Sequence, residues 1–426
     1  MLEGISWLFF LFCSANISVT PFRHWHLRFL IETPLNTAIA YFQIVLYVLF
    51  VVLLLPRIIF FLRYYFFDCF RDSFRKNPYV WILAILSLIS CLWSETPWVT
   101  LKAGCILLSV NLTCLYVSVR YSDMKIFRAI QFNGAVIIFM SLLNGRQAQG
   151  GLTGVLSSKN SLGGASALMA ILWYVSFIYI KERRFLSLFM AAIAVGTVIL
   201  AASAGGLFIL TSLFALIFIL QLIKHLRFQY AVLASISSIL LLSVVGIFIQ
   251  INLESILAAV GKDLSFTGRV PLWSEIWKAV QVKLWLGYGS YGFWQYWRGL
   301  DNPAGQLVVS WKPPHAHMGF LDVWVDLGLV GFVLMVLSLI ASMLQALKLL
   351  VAKQGITSML PFMFLTYVIL SNLSESRFLR PGFIWFIYCI VAIKLTSLDS
   401  VGCKNRFSNF NVDFIQSHRV SRPGLK

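Results

Sequence analysis

Residues 315–340 read HAHMGFLDVWVDLGLVGFVLMVLSLI. Two histidines open the stretch, Asp322 and Asp326 follow one helical turn apart, and a long apolar run then begins. An apolar run of that length and low charge reads as a helix crossing a bilayer, with its polar head emerging at one face. Upstream, from Gly261, lies the only long polar and aromatic interval of the chain. Nearly everything else reads as hydrophobic helix. The apolar runs are continuous rather than alternating, which excludes a membrane β-barrel.

Composition agrees. Of 426 residues, 59% are hydrophobic and 12% charged, too little charge for the surface of a soluble protein. The net charge of +18 fits basic loops beside anionic lipid better than nucleic-acid binding, so no nucleic-acid partner is expected. Seven cysteines (Cys13, Cys69, Cys91, Cys105, Cys114, Cys389, Cys403) all lie outside the long polar interval and form no CxxC pattern. They read as small apolar packing residues, not a disulfide framework or a metal site.

Apolar runs near 5–19, 38–55, 79–93, 98–119, 126–143, 162–180, 185–223, 230–251, 317–347, 358–370 and 381–395 give about 12 spans, because 185–223 divides at Ala201–Gly206. The first run lacks a basic leader and reads as a span rather than a cleaved signal. Most of the 34 Lys and Arg fall in alternate loops, which places those loops and both termini in the cytoplasm. The expectation is an all-α, polytopic helical membrane protein: residues 1–251 form spans 1–9, 252–316 a large periplasmic loop, 317–396 spans 10–12, and 397–426 a basic cytoplasmic tail.

Cations outside run against that charge rule. Arg146, Lys159, Arg269, His315, His317, Arg377 and Arg380 all fall there and together point to an anionic ligand in the outer leaflet. Leu272, Trp273, Ile276, Trp277 and Val280 share one face of an amphipathic helix expected to lie on that leaflet. Arg269 stands at its start, where a guanidinium fork suits a phosphate, or else pairs locally with Asp263. The aromatic stretch 283–300 reads as an interfacial belt or as a platform for sugar rings. His315 and His317 have no thiol and only scattered carboxylates nearby in sequence, so a metal site is not expected. An imidazole at this depth suits a general base. Asp322 and Asp326 either orient the histidines or Arg269, or simply favour the helix N-terminus.

Several motifs together carry a resemblance. Thr267-Gly268-Arg269, Trp273, Gly287-Tyr288-Gly289, His317 to Leu321 and Asp326-Leu327-Gly328 follow one another, and Gly154 to Gly163 (GVLSSKNSLG) precedes them. In this order and topology the chain resembles the O-antigen ligase / Wzy polymerase superfamily. The resemblance implies a glycosyltransferase of the bacterial inner membrane that uses no nucleotide sugar, cofactor or metal. Its donor would be a glycan on undecaprenyl diphosphate, and its acceptor another glycan or lipid A–core. Arg269 would hold the diphosphate and His317 deprotonate the acceptor, inverting the anomeric carbon. Arg146, Lys159, Asn160, His315, Asp326, Arg377 and Arg380 are the further substrate-binding candidates. Met318 stands where the family often has Asn, and Ala204 where a Lys or Arg often follows Ser203. One phosphate contact is then missing, or comes from Lys159, Arg146 or Arg377.

A polymerase of lipid-linked repeat units is the leading expectation and a ligase onto lipid A–core the alternative. A polysaccharide transporter is a third reading, weakened by the lack of an internal repeat and of mid-span charge. An inactive relative and a chain-length-regulating partner stay open.

Overall fold

The computed structural model describes residues 59–397, apart from 62, 149, 224–225, 259–268, 310–311 and 354. The first two expected spans, the start of the large loop with Thr267 and Gly268, and the tail beyond 397 lie outside the described residues. Within them the protein is an all-α polytopic membrane protein. The helices are α1 (Phe66–Lys76), α2 (Tyr79–Ile89), α3 (Pro97–Arg120), α4 (Asp123–Asn144), α5 (Lys159–Tyr179), α6 (Arg184–Leu200), α7 (Ala204–Ile223), α8 (Phe228–Ala258), α9 (Arg269–Val282), α10 (Gly319–Ala352), α11 (Ile356–Ser374) and α12 (Phe383–Ser397). Spans 3 to 12 of the sequence reading correspond in order to α2 to α8 and α10 to α12. Among the described residues eight helices are long and apolar enough to cross a bilayer, and two shorter apolar helices cover Tyr79–Leu92 and Phe383–Thr396.

The helix packing puts α11 in the middle. It meets α10, α12, α7, α8 and α5, and 83% of its most apolar window is buried within the protein. By contrast, Leu233, Leu240, Val244 and Phe248 on α8 are exposed among the described residues. Close approach of α5 to α7 depends on glycine: a Cβ at Gly206 would stand 2.8 Å from the backbone of Gly163. Gly206→Val is therefore expected to cost about 1–3 kcal/mol, as overpacking does, read as a lowered melting temperature in detergent.

The sequence reading ran span 10 straight through. The helix instead breaks at Gly328 (φ 65°, ψ −168°). The freed groups are taken by the segment after α9. Tyr288 and Gly289 donate to the carbonyls of Val325 and Asp326, at 2.9 and 2.8 Å, and Leu329 and Val330 donate to Leu284 and Trp285, at 2.8 and 3.3 Å. Non-helical backbone at this depth survives because protein, not lipid, satisfies it. A Cβ at Gly328 would lie 2.2 Å from the Trp285 carbonyl carbon, so only glycine lets the two chains meet.

Two further expectations change. The helix α9 does not lay its apolar face on lipid: Leu272, Ile276 and Val280 are fully buried in a separate small core with Tyr288, Phe293, Ala316 and Val325. Three of the five positions on the expected face are thus covered by protein, while Trp277 is 43% exposed. The aromatic stretch likewise turns inward in part, with Tyr288 and Phe293 in that core, while Trp285 stays 65% exposed. The Gly-rich link between α4 and α5 holds a hairpin of β1 (Gln147–Ala148) and β2 (Gly151–Leu152).

Candidate functional site

The buried helix α11 ends at Ser374, and its next residue is Glu375. The turn that follows is fixed by Asn372, whose side-chain oxygen accepts the backbone N–H of Arg377 (2.9 Å) and Phe378 (2.8 Å). The start of α10 presses on the same residue, since a Cβ at Gly319 would lie 2.0 Å from the Asn372 oxygen. This contact brings the histidines before α10 against Glu375 after α11.

Glu375 is the hub. His315 Nε2 lies 3.5 Å from Oε2, His317 Nδ1 3.8 Å from Oε1, and an Arg377 guanidinium nitrogen 3.7 Å from Oε2. Asn160 donates its amide to Oε1 at 2.9 Å. The Asn160 oxygen in turn accepts from the Ser203 hydroxyl (3.0 Å), and Arg377 donates to the Ser161 hydroxyl (2.6 Å). Burial pushes the Glu375 carboxyl up, but hydrogen bonding to His317 and the charges of Arg377, His315 and His317 outweigh it and hold it below the usual carboxylate range. Burial pushes the Arg269 guanidinium down, opposed by Glu375, whose charge reaches it.

The histidine loop is clamped from three directions. Asp322 accepts the Ala316 N–H at 3.2 Å and the Trp294 indole N–H at 2.8 Å. Trp273 donates its indole N–H to the Ala316 carbonyl at 2.8 Å. The His317 N–H points into the His315 ring, 3.1 Å from Nδ1. Of the two readings of the aspartates, Asp322 thus orients the histidine loop through backbone.

Asp326 pairs instead with Arg380, at 3.0 Å, and Asp322 stands 4.0 Å from the same guanidinium. Arg380 also lies over the Tyr291 ring, 3.9 Å from its centroid. Burial lowers the Arg380 pKa, but Asp326, Tyr291 and Asp322 more than reverse this and raise it.

Part of this network forms the polar end of a cleft open to solvent. Asn160, Ser161, Glu375, Arg377 and Arg380 line that end. The walls beyond are apolar, with Ile137, Ile138, Met169 and Ile209 among them. Of the residues expected from sequence, Asn160, Arg377 and Arg380 line the cleft, His315 and His317 stand behind it against Glu375, Asp326 pairs with Arg380, and Arg269 is within electrostatic reach of Glu375. Two others stand apart. Arg146 is exposed beside the hairpin, and Lys159, at the start of α5, does not line the cleft. Glu375 was missed, as were Tyr291 and Ser161.

His315, His317 and Glu375 offer ligand atoms within 4.8 Å of one another, so they are the set that could hold a metal ion. Their chemistry fits one poorly. With Nδ1 of His315 accepting a backbone N–H, the neutral ring carries its proton on Nε2, the atom that faces Glu375. Binding a cation through Nε2 would require imidazolate or a broken loop contact. Arg377 close by further opposes a divalent charge.

Fold and site together define a polytopic helical membrane protein with a polar site at the end of α11. Residues 189–336 match the family model described as O-antigen ligase, which bears out the resemblance carried by the motifs. The chain is also similar to the exopolysaccharide production protein ExoQ of Rhizobium meliloti (strain 1021), 27% identical over 290 residues, or 63% of this chain and 66% of that protein. The match thus spans just under two thirds of that relative's length. Glu375, Arg377 and Arg380 lie beyond the end of the family match, although they complete the site within it.

Proposed function

We propose that this protein polymerises oligosaccharide repeat units carried on undecaprenyl diphosphate, at the periplasmic face of a bacterial inner membrane, with both termini in the cytoplasm. The observation that carries the reading is the Glu375 hub: a carboxylate between two histidines, beside arginine, where an apolar-walled cleft turns polar. A polyisoprenoid chain suits the apolar walls and a diphosphate the arginines. Glu375 faces Nδ1 of His317, which directs that ring's N–H to the carboxylate and leaves Nε2 to take a proton.

In the proposed reaction, Nε2 of His317 takes the hydroxyl proton of the acceptor sugar. The acceptor oxygen forms a bond to the donor's anomeric carbon as the bond from that carbon to the diphosphate oxygen breaks. Attack from the opposite side inverts the centre, and undecaprenyl diphosphate leaves with its charge held by Arg269 and Arg377. We assign the phosphate contact that Ala204 does not supply to Arg377, which lines the cleft, ahead of Arg146 and Lys159. The donor set around Glu375 supports a metal-independent route.

Similarity to an exopolysaccharide production protein favours a polymer-forming role. The description of the family favours the second reading, transfer of a finished glycan onto lipid A–core. Transport is disfavoured because the break in α10 is filled by the 284–289 backbone rather than left open to a path.

Complementation of a deletion strain of the source bacterium tests this reading. Arg269→Ala and His317→Ala are expected to lose the glycan product at membrane levels matched to wild type. Loss of a secreted or capsular polymer identifies a polymerase, and lipopolysaccharide lacking its O-chain identifies a ligase. Wild-type product from both variants would overturn the glycosyltransfer reading.

A further inference from the structure

His317 is a non-glycine residue in the left-handed region, φ 54°. L side chains rarely adopt that conformation, and surrounding contacts must hold it. The neighbouring groups are spoken for elsewhere: Asp322 takes the Ala316 N–H and Trp273 the Ala316 carbonyl. The His317 N–H goes to Nδ1 of His315, two residues back, in the manner of an Asx-turn. The two rings lie 4.1 Å apart between centroids.

We propose that His315 is a positioning residue, a neutral acceptor that fixes the left-handed turn and so aims the His317 ring, rather than a contact for substrate. Both of its nitrogens are committed: Nδ1 to the His317 N–H, and Nε2–H toward Glu375 at 3.5 Å. No nitrogen of His315 remains for a phosphate or a sugar hydroxyl. The role needs an unprotonated Nδ1. Burial lowers the His315 pKa well below its ordinary value, opposed by Glu375 and assisted by His317, Arg377 and Arg380. Those four groups face it from the turn after α11 and from its own loop, and Arg269 on α9 reaches them through Glu375. The inference rests on His317 being the base.

The test compares His315→Ala, His315→Asn, His315→Gln and His317→Ala in membranes supplied with a lipid-linked oligosaccharide donor, at matched protein levels. Asparagine places its oxygen near the position of Nδ1, and glutamine places its polar atoms near Nε2. His315→Ala is expected to lower kcat on the order of 10²-fold, as misplacement of a catalytic group does, with KM unchanged. His315→Asn is expected to restore most of that rate, and His315→Gln is not. Full activity of His315→Ala overturns the proposal. So does a raised KM at unchanged kcat, which would mark a substrate contact. So does an asparagine variant no better than alanine or glutamine, a comparison that stands even where alanine is poorly folded. If His317→Ala itself transfers normally, the reading of the base fails instead, and that outcome is distinct from the others.

Discussion

Glu375→Gln will lower the transfer rate by on the order of 10²–10⁴-fold, the range associated with losing effective acid–base catalysis. The amide is nearly the same size, so the packing of a side chain only 10% exposed is preserved. Its oxygen can still accept from Asn160. Its nitrogen, however, must then face His315 Nε2–H and Arg377, donor against donor, on the side where Oε2 stood. The negative charge that would stabilise a protonated His317 is also gone. Glu375→Asp keeps the charge but withdraws it by one methylene and is expected to fall between the two. Initial rates in membranes at matched expression decide this. A glutamine variant within about twofold of wild type, far short of the acid–base range, would remove Glu375 from the mechanism.

The same site gives a pH expectation with a definite sign. The folded pKa of Glu375 is depressed, so its contribution to stability is present above the unfolded value of about 4.3 and is lost only as pH falls through the folded one. The stability gap between wild type and Glu375→Gln should therefore stay constant from about pH 6 to 8 as far as Glu375 itself titrates, measured as thermal unfolding in detergent. A gap that changes steeply in that window would mean that the carboxyl titrates there.

The helices were legible because an apolar run long enough to span a bilayer leaves a chain few alternatives. Ten of the expected spans reappear in order, and the two others lie outside the described residues. What the sequence hid was mostly partnership. Glu375 sits in a short polar turn that reads as an ordinary loop, and nothing in its neighbourhood announces histidines far upstream. The signal available was a carboxylate just past the end of a long apolar helix, followed closely by Arg377 and Arg380. Periodicity gave α9 its buried face but could not say whether lipid or protein would cover it. Gly328 was legible as part of the Asp326-Leu327-Gly328 motif but not as a helix break. Only its pairing with Gly287-Tyr288-Gly289 reveals a break, and that pairing is a long-range contact. Charge counting set Arg146 beside Arg377, although one is exposed near a hairpin and the other is tied to Ser161 inside the cleft.

Arg380→Met will destabilise the protein by about 3–5 kcal/mol, the cost of removing one partner of a buried ion pair. Its guanidinium faces two carboxylates, Asp326 at 3.0 Å and Asp322 at 4.0 Å, both almost wholly buried. Without it, Asp322 retains the Ala316 and Trp294 N–H groups, while Asp326 is left with the Tyr291 N–H at 3.2 Å. Most of the penalty therefore falls on Asp326. Adding Asp326→Asn to Arg380→Met should recover much of the loss, because a neutral amide can accept from Tyr291 without a countercharge. Melting temperatures of the single and double variants in detergent form the test. A single variant as stable as wild type, or a double variant no better than the single, would show that the charge of Arg380 is not what holds this end of α10. The consequence reaches the site through Asp322, which carries the Ala316 N–H. A loosened Arg380 cluster should lower kcat even in the stability-restored double variant, since the loop that presents His317 hangs from the same carboxylate.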